Sequence, residues 1–210
     1  NYPTLIYGYY SSDYTLQHLL ELEEKKCAPK EWDITAKYKA SCGIISSVYY
    51  LHKREIVHGS ICAENVVFGD DFWPYLTDLS FEQFFDSDEL KSTKSAVSEI
   101  WRAPELSGPS EMTKSGDVFS VAMVMFQMFS GKTIATILEQ APDLEKRIKI
   151  GNRPKMGNDF PEIIRKTIHN SWAPDPKDRW SSGNMAGLVD YTLTSEDPIN
   201  ADSIVKFKTE

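Results

Sequence analysis

The chain has 210 residues, 41% of them hydrophobic and 12% aromatic, which is the composition of a globular protein able to bury a full core. Its 23 basic and 31 acidic residues give a net charge of −8. This balance argues against nucleic-acid binding, because broad contact with phosphates needs a surplus of clustered cations. The longest apolar stretch, 118–129, has 12 residues and is too short to span a bilayer.

The cysteines indicate the redox environment of the protein. Cys27, Cys42 and Cys62 are odd in number and show no C-x-x-C spacing, so the sequence predicts neither a disulfide framework nor a zinc site. We therefore expect a reducing, cytoplasmic location.

The first half of the chain predicts one strand and two helices. Residues 3–10 are β-branched, aromatic and apolar, which is typical of a buried strand. A short helix is predicted over 16–24. From Asp33, apolar residues recur every three or four positions, which marks one face of a long helix: Ile34, Tyr38, Cys42, Ile45, Tyr49 and His52. Its polar residues Lys37, Lys39 and Ser46 are expected to face solvent.

The second half predicts a hairpin and then mostly helix. Segments 65–68 and 75–77 are strand candidates separated by a Gly-Asp-Asp turn. The run 118–129 is apolar nearly all round, which indicates a helix buried on every side, and Gly131 is suited to end it. Further helices are predicted over 134–140, 144–149, 162–170 and 184–194. The fold class expected is α+β and mostly α-helical.

Short motifs in a fixed order carry a resemblance to a known family. The sequence HGSICAEN at 58–65 resembles the H-R-D-L-K-x-x-N catalytic loop of protein kinases. It is followed by DLS at 78–80, WRAPE at 101–105 and SGDVFS at 115–120, which resemble the D-F-G, A-P-E and S-D-V-[WY]-S motifs. The sequence SWAPDPKDRWS at 171–181 is similar to a signature of tyrosine and tyrosine-kinase-like kinases. The chain therefore resembles the C-terminal lobe of a kinase of the tyrosine-kinase-like type.

This resemblance implies a division of the chain. Residues 1–12 correspond to the last N-lobe strand and the hinge, residues 13–194 to the C-lobe, and residues 195–210 to a polar tail. A glycine-rich phosphate loop and a strand lysine are not found in this sequence. Because the chain begins with Asn1 rather than methionine, we expect it to be a fragment.

The resemblance also identifies two substitutions at catalytic positions. Ser60 stands where kinases have the aspartate that accepts the substrate proton, and Cys62 stands where they have the catalytic-loop lysine. Gly59 replaces an arginine that in many kinases binds a phosphorylated activation segment. An ordinary hydroxyl cannot accept a proton at neutral pH, and losing a general base costs roughly 10²–10⁴ in rate. We also expect the Cys62 thiol to be unreactive.

Other site residues are retained in the pattern. Asn65 and Asp78 match the two metal-binding positions, where amide and carboxylate oxygens suit Mg²⁺ held with nucleotide phosphates. Tyr7, Tyr9 and Val67 match nucleotide-binding positions. We expect no cofactor for this chain alone, and ATP with Mg²⁺ for the full-length protein at most.

The remaining matches have structural roles in the family. The resemblance implies that His58 packs in the core and that Asp117 ties the central helix to the catalytic-loop backbone. It also implies an ion pair between Glu105 and Arg179.

Three functions remain open from the sequence. The first is a pseudokinase that acts by contact, with a partner protein on the C-lobe surface and the activation segment from Asp78 to Glu105 as a mobile element. The H-G-[NS]-x-C pattern also resembles the regulatory pseudokinase domains of Janus kinases. The second is an active Ser/Thr or Tyr kinase in which another group replaces the base. The third is a remnant without independent function.

Overall fold

A computed structural model describes residues 11–80, 99–106 and 112–192. The predicted strand at 3–10, with Tyr7 and Tyr9, and the tail at 195–210 lie outside the described residues. The described part is mostly helical with a small sheet, which confirms the predicted α+β class. Its helices are α1 (Leu16–Glu24), α2 (Ile34–His52), α3 (Lys114–Ser130), α4 (Ile134–Gln140), α5 (Leu144–Lys149), α6 (Glu162–Ser171) and α7 (Ser182–Thr192), and its strands are β1 (Val66–Phe68) and β2 (Pro74–Leu76).

Helix α3 lies at the centre of the core. Thr113 caps its first turn by accepting a hydrogen bond from the backbone N–H of Gly116, at 2.9 Å. Every residue from Gly116 to Phe129 is buried, as the apolar run predicted. The helix ends at Gly131, whose φ of +62° is the left-handed conformation that glycine adopts without strain. No single helix among the described residues is long and apolar enough to cross a membrane, although α3 and α4 together, bent by 81°, reach that length and composition.

Helix α2 begins where predicted, but the prediction of its exposed face is wrong in part. Lys37 and Lys39 are buried, with 8% of their surface exposed, whereas Ile34 is 47% exposed. The reason is that α2 packs against α3, α7 and β2, so its middle turns are covered on every side. Each lysine has an acidic partner: Glu23 lies 2.5 Å from the Lys37 ammonium and Asp71 lies 3.0 Å from that of Lys39. A periodic pattern of apolar residues does not reveal such buried ion pairs.

The two strands form the predicted antiparallel hairpin. Val66 lies opposite Leu76, and Val67 lies opposite Tyr75. The hairpin packs closely on α2, because a Cβ added at Gly43 would overlap the ring of Pro74. This packing fixes the residues at the open end of the hairpin, Asn65 before β1 and Asp78 after β2, relative to the helices.

Candidate functional site

The catalytic-loop-like segment 58–65 is fastened to the first turn of α3 by Asp117. The Asp117 carboxylate is buried and accepts hydrogen bonds from the backbone N–H groups of His58, at 2.7 Å, and Gly59, at 2.9 Å. Charge-assisted hydrogen bonds of this kind are stronger than neutral ones, more so where water is excluded. Asp117 therefore makes the contact with the loop backbone that the sequence predicts.

A second anchor at Asp117 was missed by the sequence analysis. The Nε2 atom of His52 lies 2.9 Å from the same carboxylate, and its Nδ1 atom lies 2.9 Å from the Ser182 hydroxyl. Because a carboxylate can only accept, Nε2 carries the proton, and in the neutral ring the Ser182 hydroxyl donates to Nδ1. All three side chains are buried, so this Ser-His-Asp arrangement joins α2, α3 and α7 and is closed to substrates.

His58 is a core residue, with 1% of its surface exposed. Its Nδ1 atom accepts a hydrogen bond from the backbone N–H of Ser60, at 3.3 Å, and its Nε2 atom has no hydrogen-bond partner among the described residues. Burial lowers the pKa of His58, while the charges of Asp117 and Asp78 act in the opposite direction. The ring is therefore neutral at pH 7 and contributes packing, which agrees with the role implied by the sequence.

Ser60 occupies the centre of the site. Its Oγ lies 3.3 Å from the Oγ of Ser80, and its carbonyl oxygen accepts a hydrogen bond of 2.7 Å from the Asn65 side chain. The backbone of Ser80 in turn donates to the His58 carbonyl, at 2.9 Å. Hydrogen bonds of Ser80 with Ser60 and with the His58 carbonyl thus hold the loop and the DLS segment together.

Gly59 has a conformation and a neighbour that disfavour a larger side chain. Its φ is +75°, and a Cβ at this position would overlap the sulfur of Met112. The side chain of Met112 therefore occupies the space beside the loop into which a Cβ at position 59 would point. Glycine adopts this φ without strain, and a Cβ here would in addition require the Met112 side chain to move.

Cys62 is buried, at 3% exposure. Burial, followed by the nearby charge of Glu64, raises the pKa of its thiol to about 12. Since the thiolate is the reactive form of cysteine, burial works against reactivity at this position, and the unreactive thiol stays a prediction.

Asn65 and Asp78 are brought close together by the hairpin. The backbone N–H of Thr77, the residue before Asp78, donates to the Asn65 carbonyl at 2.9 Å. Asp78 is exposed and has a φ of +57°, in the left-handed region, which aspartate tolerates better than most residues. Because the Asn65 amide nitrogen is bound to the loop, its oxygen is the atom suited to a metal.

These two oxygen donors fit Mg²⁺ held together with phosphates. Within the described ranges, no group of three or more His, Cys, Asp or Glu side chains could hold a metal ion. A metal at Asn65 and Asp78 would therefore need further ligands, such as phosphate oxygens or waters. Val67, a predicted nucleotide-binding residue, is buried in β1, while Tyr7 and Tyr9 lie outside the described residues.

Glu105 and Arg179 form the predicted ion pair. Arg179 donates two hydrogen bonds to the Glu105 carboxylate, at 2.6 and 2.8 Å. Its other donors bind the backbone carbonyls of Ala173, Ser115 and Pro174. The Arg179 side chain is fully buried and that of Glu105 is 27% exposed, so this pair links the APE-like segment to the loop before α7.

The sequence is similar to those of known protein kinases. Residues 3–187 match the family of protein tyrosine and serine/threonine kinases. A probable serine/threonine-protein kinase of Dictyostelium discoideum is 25% identical over 175 residues, which are 82% of this chain and 19% of that protein. The tyrosine-protein kinase csk-1 of Caenorhabditis elegans is 27% identical over 142 residues, 68% of this chain and 26% of that protein.

A third relative is matched over a larger share of its own length. The mitogen-activated protein kinase kinase kinase 20 of Arabidopsis thaliana is 23% identical over 173 residues, 80% of this chain and 51% of that protein. The chain thus spans between about a fifth and a half of these relatives, which include both serine/threonine and tyrosine kinases. With the anchored loop, the buried central helix and the match over residues 3–187, the chain belongs to the protein kinase family.

Proposed function

We propose that this chain is a catalytically inactive kinase domain, a pseudokinase of the tyrosine-kinase-like type, that acts through contacts with a partner protein. The observation that carries this proposal is Ser60 at the position of the catalytic base. Its hydroxyl lies against the Ser80 hydroxyl, and a hydroxyl with a hydroxyl neighbour does not take a proton at neutral pH. Losing the base alone costs on the order of 10²–10⁴ in rate.

The surroundings of Ser60 support the same proposal. Cys62 supplies no positive charge where a kinase has lysine, and burial keeps its thiol protonated, with a pKa of about 12. By contrast, the contacts that hold the loop, from Asp117 to His58 and Gly59, are complete. The fold around the loop is thus retained, whereas the groups that would react are replaced. A role in regulation or assembly requires the fold but not those groups.

An active kinase is the second candidate, and Asn65 with Asp78 favours it. Both oxygen donors are present, on residues that the hairpin joins through the Thr77–Asn65 backbone hydrogen bond, and positioning with metal electrostatics carries much of phosphoryl transfer. In that case ATP and Mg²⁺ would be the cofactors of the intact protein. The two candidates predict different results in one assay.

The test is phosphoryl transfer by the intact natural protein, supplied with Mg²⁺, radiolabelled ATP and a mixture of protein and peptide acceptors. The pseudokinase proposal expects the wild-type protein and the Asp78→Ala variant to give the same background. Transfer that Asp78→Ala abolishes would overturn it in favour of the active kinase. Asp70→Ala, which changes an exposed aspartate in the hairpin turn, is the matched control and should leave any genuine transfer intact.

A further inference from the structure

A groove of about 760 Å³ lies at the C-terminal end of α3, between α4, α5 and the loop at 152–160. Four basic side chains line it, from Lys132, Arg147, Arg153 and Lys155, together with one acidic side chain, from Asp159. The groove is therefore positive in a chain whose net charge is −8. Catalytic-loop residues are not among its lining, and Asp117 lies roughly 20 Å away along the helix axis.

Part of this positive charge is balanced by nearby carboxylates and part of it is not. Arg147 pairs with Asp143 at 3.2 Å. Lys132 donates to the neutral Gln140 side chain at 2.9 Å, although Glu24, bound to Thr133 next in the chain, offsets part of its charge. For Lys155, no carboxylate lies within ion-pair distance in the part of the chain that the structure describes.

Arg153, which also lines the groove, adds a further positive charge. It donates to the backbone carbonyls of Trp172, Ile148 and Asn152, which carry no net charge. Its guanidinium lies 5.2 Å from the centre of the Phe119 ring, and that of Arg179 lies 5.0 Å from the same centre. Burial, and then repulsion from Arg179, lowers the pKa of Arg153 to about 10, so the group remains charged at neutral pH.

We propose that this groove binds an acidic segment of a partner protein, with its carboxylates at Lys132 and Lys155. The apolar lining, which includes Phe126 and Phe160, would receive one apolar side chain of that segment. The volume is far larger than a phosphate ion, and a groove with a few cations in an acidic chain is poorly suited to a nucleic-acid backbone. This inference rests on the proposed contact role and names the surface and chemistry of the partner.

The test measures binding of a fluorescein-labelled octapeptide of Asp and Glu with one central Leu to the intact protein, by anisotropy at low salt. The expected result is saturable binding that Lys132→Glu and Lys155→Glu each weaken by about 3- to 10-fold, as loss of a close charge contact predicts. Lys53→Glu makes the same charge change at an exposed site near the other end of α3 and should alter affinity by less than about 2-fold. The peptide with Asn and Gln in place of the acids should not bind.

Several outcomes would overturn the proposal. Absence of saturable binding, equal binding of the amide peptide, or an equal loss in Lys53→Glu would each do so. Displacement of the peptide by inorganic phosphate at equal concentration would indicate a small-anion site, and tighter binding of a single-stranded RNA octamer would indicate a nucleic-acid site. If the peptide does not bind and no phosphoryl transfer is found, the proposal for the groove is overturned and the pseudokinase proposal is not. If the peptide binds as expected and transfer is found, the pseudokinase proposal is overturned and the proposal for the groove is not.

Discussion

The two ends of α3 differ in how their charges are balanced. At the N-terminal end, Asp117 accepts hydrogen bonds from three groups, and the nearby Arg179 is matched to Glu105 and to backbone carbonyls. At the C-terminal end, Lys132 donates to a neutral amide and its charge is offset only in part by Glu24, and Lys155 lacks a carboxylate within ion-pair distance among the described residues. Buried charges that are fully matched hold a fold together, whereas exposed charges that are not matched are available for contacts.

In this kinase-family chain, we interpret the difference as one between a framework of residues that hold the fold and residues that are available for the proposed partner contact. Asp117 holds the loop at 58–65, while the sequence resemblance assigns Gly59, Ser60 and Cys62 to the positions of the kinase arginine, base and lysine. The framework should therefore be sensitive to single substitutions, and the groove should tolerate them.

The largest expected effect is at Glu105. Glu105→Met leaves the fully buried guanidinium of Arg179 without its anion, and breaking a buried pair from one side costs about 3–5 kcal/mol. Urea denaturation should show this loss in the free energy of unfolding. Glu139→Met, at an exposed position of α4, should change it by less than about 0.5 kcal/mol. A loss below about 1 kcal/mol in Glu105→Met would mean that the pair is not part of the framework.

Asp117→Asn should have the next largest effect. An amide oxygen cannot satisfy all three donors that now reach the carboxylate, and unmet buried donors cost about 1–3 kcal/mol each. We expect a loss of about 2–4 kcal/mol, with faster hydrogen exchange at the amides of His58 and Gly59. Asp178→Asn, at an exposed site, is the control. Unchanged exchange at these two amides would contradict the anchoring role.

Gly59→Ala should destabilise by about 1–3 kcal/mol, because the residue has φ at +75° and its Cβ would meet Met112. Gly187→Ala provides the matched comparison, since nothing lies within 4 Å of a Cβ at that helical position. There alanine should stabilise by about 0.5–1 kcal/mol. Thermal melts of both variants would measure this, and equal shifts in the same direction would contradict the steric account of Gly59.

The smallest expected effect is at the groove. Lys155→Glu changes an exposed side chain without an ion-pair partner in the described residues, so the free energy of unfolding should change by less than about 0.5 kcal/mol. Urea denaturation of Lys155→Glu and Glu105→Met under the same conditions compares the two changes in the free energy of unfolding. A loss of more than about 1.5 kcal/mol would show that Lys155 belongs to the framework and remove the difference between the two ends of α3.

Local patterns in the sequence predicted much of the fold. The apolar run of α3, the glycine at its end and the turn between β1 and β2 are signals that depend on near neighbours, and each was found where expected. The exposure of Lys37 and Lys39 was predicted wrongly because their partners, Glu23 and Asp71, lie 14 and 32 residues away. Neither helical periodicity nor composition contains that information.

The same limit applies to the site. Ser60, Asn65, Asp78 and Asp117 were identified because kinase motifs fix their order along the chain. The contact between His52 and Ser182 joins residues 130 positions apart, and the groove is lined by separate segments of the second half of the chain. Such features depend on tertiary packing, so they can be found only from the three-dimensional structure.

The central claim is that Ser60 takes no part in phosphoryl transfer, and a single-turnover assay with excess intact protein over radiolabelled ATP tests it most directly. The predicted result is that the wild-type protein and Ser60→Ala transfer phosphate to acceptor at the same background rate. A wild-type rate that falls by about 10²–10⁴ in Ser60→Ala, the size of a general-base effect, would contradict the account and make Ser60 part of a working active site.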